Sequence, residues 1–306
     1  MPVVSAIITT FNRANYLETA ICSVLKQDFN DFELIILDNS STDNTESIIA
    51  GFVDPRIRTI KHPHLTISQT RNLGVKEAKG NFIAFLDDDD EWLPNKLSSE
   101  LSLFEKMTED VALVYGGFVR IDTEGKQFYT HTPILQGKVL KELLSLKDDF
   151  TGSASNPMIR KSAIVALGGF DESVNTGEDW EFYLRLAEYY QIRFVPEEVV
   201  AIRHHFGVRL GDRLRDYIDL EEKVMQRFAA IFDADNKLKS FYLQRIGGKY
   251  LRLGETYNGR KYIRRAIRCF PSNRIAYIQL LLSFFKKNTY SAIHRIYLNQ
   301  KRSIKV

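Results

Sequence analysis

Four consecutive aspartates, Asp87-Asp88-Asp89-Asp90, follow directly on the apolar run Phe82-Ile83-Ala84-Phe85-Leu86. Two carboxylates about 6 Å apart repel by roughly 3 kcal/mol at an effective dielectric of about 20, so such a cluster asks for a cation or for donor hydrogens. Hard carboxylate oxygens suit Mg²⁺ or Mn²⁺, which take a few of them together with substrate phosphates. The competing reading is a solvated acidic turn before a helix that Pro94 helps to start, since acids favour helix N-termini. Other polar clusters occupy comparable places. Leu37-Asp38-Asn39-Ser40-Ser41-Thr42-Asp43 ends a second apolar run and offers short acceptors for hydroxyls or base N–H groups, although any strand-to-helix turn uses the same residues. Thr9-Thr10-Phe11-Asn12-Arg13 ends a third, where an exposed Phe11 could stack on a planar base. Arg71-Asn72 places a guanidinium where it can meet a phosphate or a base carbonyl. In Gly177-Glu178-Asp179-Trp180-Glu181 the residues alone favour a helix start with Asp179 as N-cap. In Arg203-His204-His205 strand alternation lets only one imidazole face a site.

The elements that must position these groups follow from periodicity. Val3–Ile8, Phe32–Leu37, Ile57–Lys61 and Phe82–Leu86 are continuous apolar runs of strand length. Helical patterns lie between them, at Tyr16–Lys26, from a capping-box pattern at Asp43–Glu46 to about Phe52, and at Thr66–Lys79 with Thr66-x-x-Gln69 as cap and Gly80 as stop. Strand alternating with helix predicts a parallel α/β sheet covered on both faces, which binds ligands at the carboxyl ends of its strands. The polar clusters after the first, second and fourth runs then share one sheet edge. Beyond Asp110 the expected elements are strands at Val111–Val119, Lys126–His131, Ile192–Val195 and Val199–His205, and helices at Lys161–Leu167 and Asp179–Tyr190. From Arg209 onward only helical periodicity remains. Within it, Leu243, Ile246, Gly247, Tyr250, Gly254, Ala266 and Pro271 resemble one tetratricopeptide unit over about 240–273, with Leu243 at the tryptophan position. An ordinary helical hairpin fits the same residues.

The 306 residues are 44% hydrophobic and 26% charged, values that exclude a disordered or fibrous chain. Two distant cysteines exclude a disulfide framework or a cysteine zinc site, so a reducing, cytoplasmic compartment is expected. No signal peptide is expected, and the apolar run Ile275–Phe285 is too short to span a bilayer, which needs about 20 residues. Residues 237–306 hold 17 Lys and Arg against one acid, Glu255, a charge of +16; the remainder, with 25 basic and 38 acidic residues, carries −13. An acidic body thus carries a basic tail. Its apolar residues Tyr262, Ile263, Ala266, Ile267 and Phe270 give it the character of a helix that lies on an anionic membrane, a peripheral position at the cytoplasmic face. Packing of that stripe on the acidic body and an electrostatic partner protein are the alternatives.

The order of Ile7–Arg13, Asp38–Asp43, Arg71-Asn72, Gly80–Pro94, Ile159–Lys161, Gly168–Glu172 and Glu178–Glu181 resembles the family 2 glycosyltransferases, over about Pro2 to His205. The resemblance implies an α/β fold of GT-A type: a Rossmann-like, mostly parallel sheet flanked by helices over 1–208, followed by an all-helical basic C-terminal region over 209–306. It implies an inverting, metal-dependent transfer from a nucleotide-sugar donor to the hydroxyl of a saccharide or lipid-linked acceptor, in cell-surface polysaccharide or glycolipid synthesis, with no nucleic-acid partner. Thr9, Phe11, Arg13, Asp38, Asn39, Arg71, Asp87 and Asp88 would bind the donor, Phe11 packing on the base and Asp38 and Asn39 contacting it. Many relatives have a second acid where this chain has Asn39. Asp89, with Asp87 and His205, would hold Mn²⁺ or Mg²⁺. Asp179 matches the catalytic base, and Ser153, Ser155 and Asn156 would line the acceptor loop. Two other classes compete. A sugar-phosphate nucleotidyltransferase would need a glycine-rich phosphate loop after the first strand, and Thr9–Arg13 has no glycine. An interaction module with an inert front half is at odds with intact Asp87, Asp89 and Asp179. No GxGxxG follows a strand, which excludes a Rossmann dehydrogenase.

Overall fold

In the computed structural model, which describes residues 1–146, 150–204 and 213–285, the four apolar runs fold as the strands β1 (Val4–Thr10), β2 (Phe32–Asp38), β3 (Ile57–Lys61) and β4 (Phe82–Asp87). They lie parallel in the order β3-β2-β1-β4. Helices α1 (Ala14–Leu25), α2 (Thr45–Ala50) and α3 (Ile67–Glu77) make the crossovers. Leu17, Ala20, Ile21 and Val24 of α1 are buried in the same core as Val4, Ala6 and Ile8 of β1. Register sets the strand ends level: Thr10 pairs with Asp38, and Thr9 with Asp87.

Two expected caps behave differently. The Thr66–Gln69 capping box forms as its residues predict, with Gln69 N donating to Thr66 Oγ1 and Thr66 N to Gln69 Oε1. The Asp43–Glu46 box does not. Asp43 Oδ1 instead accepts from Thr45 N at 3.1 Å and Thr45 Oγ1 at 2.6 Å, while Oδ2 accepts from Ala14 N at 3.1 Å. One carboxylate serves the starts of two helices. Gly80 is not the stop of α3, which ends at Ala78 with extended backbone. Its glycine character has another cause, since a Cβ there would sit 2.6 Å from Ser5 N and 2.7 Å from Val4 C.

The second half of the sheet is mixed rather than parallel. It comprises β5 (Glu91–Trp92), β6 (Val111–Ile121), β7 (Gln127–His131), β8 (Met158–Arg160) and β9 (Gln191–Arg203). The order runs β3-β2-β1-β4-β8-β6-β9-β5, with β7 on β6. Short β8 runs against both β4 and β6, and its three pairs with β4 join the two halves. The two strands expected over 192–205 are one, β9. Pro196, which has no N–H to give, falls where the register with β6 slips, between the pairs Tyr115–Phe194 and Gly117–Glu198. Helices α4 (Lys96–Phe104), α5 (Leu140–Ser145), α6 (Lys161–Ala166) and α7 (Glu178–Tyr189) complete this part.

The chain divides into two units, Met1–Gly207 and Val208–Val306. The described part of the second is all helical: α8 (Leu214–Arg227), α9 (Ala229–Ala234), α10 (Asn236–Leu253), α11 (Thr256–Cys269) and α12 (Arg274–Leu282). Gly254, at φ +89°, turns α10 into α11, and Gly247 and Gly259 let the two helices approach closely. Ile263 and Ala266 of the expected membrane stripe are fully buried against Leu243 and Leu251, so the face of α11 belongs to this core. None of the described helices is long and apolar enough to cross a membrane.

Candidate active site

The loops after β1, β2 and β4 meet at one edge, as the strand ends require. Asn12, in left-handed backbone at φ +53°, accepts from Thr42 N at 2.8 Å, which ties the first loop to the second. Phe11 stays 44% exposed, and its ring lies 4.9 Å from that of His64, a neighbour with no motif to announce it. Asp38 is buried and accepts from Ser41 N at 2.9 Å. Asn39 is engaged differently from a base-reading side chain: its Nδ2 donates to Leu65 O at 3.0 Å and its Oδ1 accepts from Leu65 N at 2.8 Å. The amide that replaces an acid therefore clamps the chain that carries His64.

Arg71 is almost wholly buried and joins two carboxylates. Its Nη2 donates to Asp87 Oδ1 at 3.0 Å and its Nη1 to Glu178 Oε1 at 2.5 Å, between the rings of Phe85 and Phe170. Both partners are internal, so its direct role is to position Asp87 and α7 rather than to meet a phosphate. Among the aspartates, Asp90 turns inward, accepting from Ser153, Ser155 and the backbone N–H of Arg203. Ser155 also receives the N–H of Asp87 at 3.0 Å, and Asn156 bonds Gly116 and Thr151 backbone groups. Because β8 runs against β4, the residues before β8 reach the carboxyl end of β4. Ser153, Ser155 and Asn156 thus brace the aspartate turn instead of lining an acceptor loop. Arg203 adds a bond to Asp89 O at 3.1 Å and pairs with Glu91.

Asp87, Asp88 and Asp89 lie at the carboxyl end of β4. Burial raises the pKa of Asp88 to about 7, with Asp89 and Asp87 adding to the rise against Thr10 and Arg13. Asp87 is also raised, by burial, against the pull of Arg71. Arg13 stands 3.6 Å from Asp89 Oδ2. Among the described residues no three His, Cys, Asp or Glu side chains converge to hold a metal by themselves. Mg²⁺ and Mn²⁺ do not require that, since one or two carboxylates and the phosphates of a substrate suffice. The hard-oxygen donors of Asp87 and Asp89 at a strand end fit such an ion. His205, the third expected ligand, lies outside the described residues.

Asp179 is not a helix cap. Gly177, at φ +71°, holds that position, and Asp179 lies in the first turn with Oδ1 accepting from Trp180 N at 2.7 Å. Burial and neighbouring Glu178 raise its pKa to about 6, Arg71 opposing them. It opens onto a cavity of about 210 Å³ walled mainly by Leu135, Leu143, Phe150, Trp180 and Tyr183. The buried Trp180 Nε1 has no partner among the described residues. Glu178, Asp90 and His64 went unassigned in the sequence. Glu178 shows its role only through a partner 107 residues away.

An acid-lined carboxyl edge beside a second, mixed half-sheet is an architecture of GT-A type. The chain belongs to glycosyl transferase family 2, whose model matches residues 5–168. A GalNAc(5)-diNAcBac-PP-undecaprenol beta-1,3-glucosyltransferase of Campylobacter jejuni is 29% identical, over 97% of this chain and 98% of that protein. The Escherichia coli UDP-Glc:alpha-D-GlcNAc-diphosphoundecaprenol beta-1,3-glucosyltransferase WfgD is 34% identical over 45% of this chain and 55% of its own. Against glycosyltransferases of Rickettsia felis and Rickettsia bellii, 27% and 26% identical over 69% and 84% of this chain, the chain spans about a third of their length, 35% and 37%. S. aureus TarS 1-349 in complex with UDP-GlcNAc superposes with a TM-score of 0.65 at 16% identity, over 98% of this chain and 92% of that one. The mannosyltransferase PcManGT of Pyrobaculum calidifontis, in complex with GDP-Man and Mn²⁺, gives 0.57 at 16% identity, over 95% and 84%.

Proposed function

We propose that this chain transfers a sugar from a UDP-sugar to a hydroxyl of a lipid-linked saccharide at the cytoplasmic membrane face, in one displacement that inverts the anomeric centre. The observation that carries the reading is the pairing of Arg71 with both Asp87 and Glu178, which fixes the aspartate edge against the helix of Asp179. Phe11 and Asp38 take the base, helped by backbone groups of the loop that Asn39 holds. Asp88 faces the ribose, and Asp89 and Asp87 would hold Mn²⁺ or Mg²⁺, which when bound offsets charge on the departing diphosphate. Asp179 removes the proton from the acceptor hydroxyl as its oxygen bonds to the anomeric carbon, and the bond from that carbon to the diphosphate breaks with its electron pair leaving on the diphosphate. No enzyme nucleophile is required. The aromatic walls beside Asp179 suit a sugar face. The Campylobacter and E. coli relatives support a β-linked product on an undecaprenol-linked acceptor, and the latter a UDP donor. Thermal shift with Mn²⁺ against UDP, GDP, dTDP and CDP tests the donor, because a ligand of the folded state raises its stability by mass action. UDP should give the largest rise. A larger rise with GDP would overturn the uridine assignment.

A further inference from the structure

Helix α12 turns only part of its apolar surface inward. Leu280 and Leu282 pack partly buried against the core, and the fully inward positions are small or polar: Ala276, Gln279 and Ser283 are buried, Gln279 accepting from Gln244 at 2.8 Å and Ser283 Oγ from Arg260 Nε at 3.0 Å. Its outward positions are large and apolar. Tyr277, Ile278, Leu281 and, just past its end, Phe284 and Phe285 are 44, 55, 67, 64 and 59% exposed. The spacing 277-278-281-284-285 puts them on one face. A helix on the outside of a soluble bundle shows the opposite pattern, and an apolar row of this kind marks an interaction surface. Charge selects the partner. Between residues 260 and 285 the sequence has Arg260, Lys261, Arg264, Arg265, Arg268 and Arg274, and no Asp or Glu. The Arg260 guanidinium lies 4.2 Å from the centre of the Phe284 ring, so cation and apolar face are adjacent.

We propose that this face of α12 docks on an anionic lipid bilayer, Ile278, Leu281, Phe284 and Phe285 entering the boundary between head groups and acyl chains while the arginines of α11 meet the head groups. A second copy fits less well. A two-fold pair would bring the same face, and with it the same Arg260 beside Phe284, against itself. The inference moves the contact from the stripe of α11, which is core, to α12. It rests on the membrane-face reading but not on the transfer chemistry, and its failure leaves donor binding untouched.

Sedimentation of the full chain with phosphatidylcholine vesicles, with and without phosphatidylglycerol, tests it. Binding should require phosphatidylglycerol and weaken as salt rises. The variant Ile278→Ser/Leu281→Ser/Phe284→Ser should partition less by on the order of 100-fold, with UDP-dependent thermal shift unchanged. Independently, Phe285→Trp should emit at shorter wavelength on vesicles and be quenched by brominated lipid, against the background of Trp92 and Trp180. Undiminished binding of the triple variant, or an indole that brominated lipid leaves unquenched in Phe285→Trp, overturns the proposal. So does a wild-type dimer that the triple variant makes monomeric, which assigns the face to a second copy. A lower melting temperature of the triple variant with unchanged lipid binding gives the face to residues 286–306 and equally overturns it.

Discussion

Asp179 can take a proton only while it is ionised, and its surroundings hold it near the point of change. With its pKa at about 6, transfer should fall as pH drops through that value, followed by release of the nucleotide diphosphate. Asp179→Asn should keep donor binding and lose turnover by a factor of roughly 10²–10⁴. The same shift has a stability consequence. A folded pKa above the ordinary 3.8 means that the folded chain holds this proton more tightly, so the favourable contribution is whole below pH 3.8 and lost as pH rises through about 6. Asparagine never ionises, so Asp179→Asn should melt higher than the wild type at about pH 8 and level with it near about pH 4. Asp89→Ala should abolish the Mn²⁺-dependent part of nucleotide affinity, read by titration with and without the metal; equal affinities in both conditions for the wild type would dismiss the metal. At this scale the gathering of Phe11, Asp38 and Asp87–Asp89 at one sheet edge was legible in the sequence, because strand ends declare themselves locally, whereas Asp179 read locally as a cap that Gly177 in fact supplies. Arg71–Glu178 was not, since the pairing depends on how α7 returns to α3, and Asn39 was misjudged because its partner is backbone.

Elements announce themselves by period, and the period needs length. The strands β1 to β4 read directly from continuous apolar runs. The two residues of β5 and three of β8 are too few to show any alternation, yet β8 decides what the aspartate turn rests on. Gly80 read as a helix stop because glycine commonly is one; the cause here is contact with β1, which no local pattern records. Gly80→Ala should therefore cost roughly 1–3 kcal/mol by denaturant unfolding, as overpacking does, with no gain from a stiffer helix end. A neutral result would mean that β1 and the residues before β4 can separate without loss. In α11 periodicity found the apolar face correctly, but periodicity does not say whether such a face meets protein or lipid.

The residues proposed for the donor all belong to the first unit, whereas the basic helices α10 and α11 belong to the second. Calorimetry with UDP and Mn²⁺ should accordingly raise one unfolding transition and leave the other in place, if the units melt separately; a single transition that shifts as a whole would show them to be one cooperative body. Within the first unit, the contacts proposed for the donor come from residues 9–89, whereas the base and the cavity beside it come from residues 135–183. Among the described residues three strand pairs, Phe82–Arg160, Ile83–Ile159 and Ala84–Met158, stitch one to the other in the sheet. Side chains fasten the same seam, through Arg71–Glu178, Asn72–Phe170 and Asp87–Ser155, so a later segment transplanted from a relative would have to bring its own Glu178 and Ser155 to keep the aspartate edge in place.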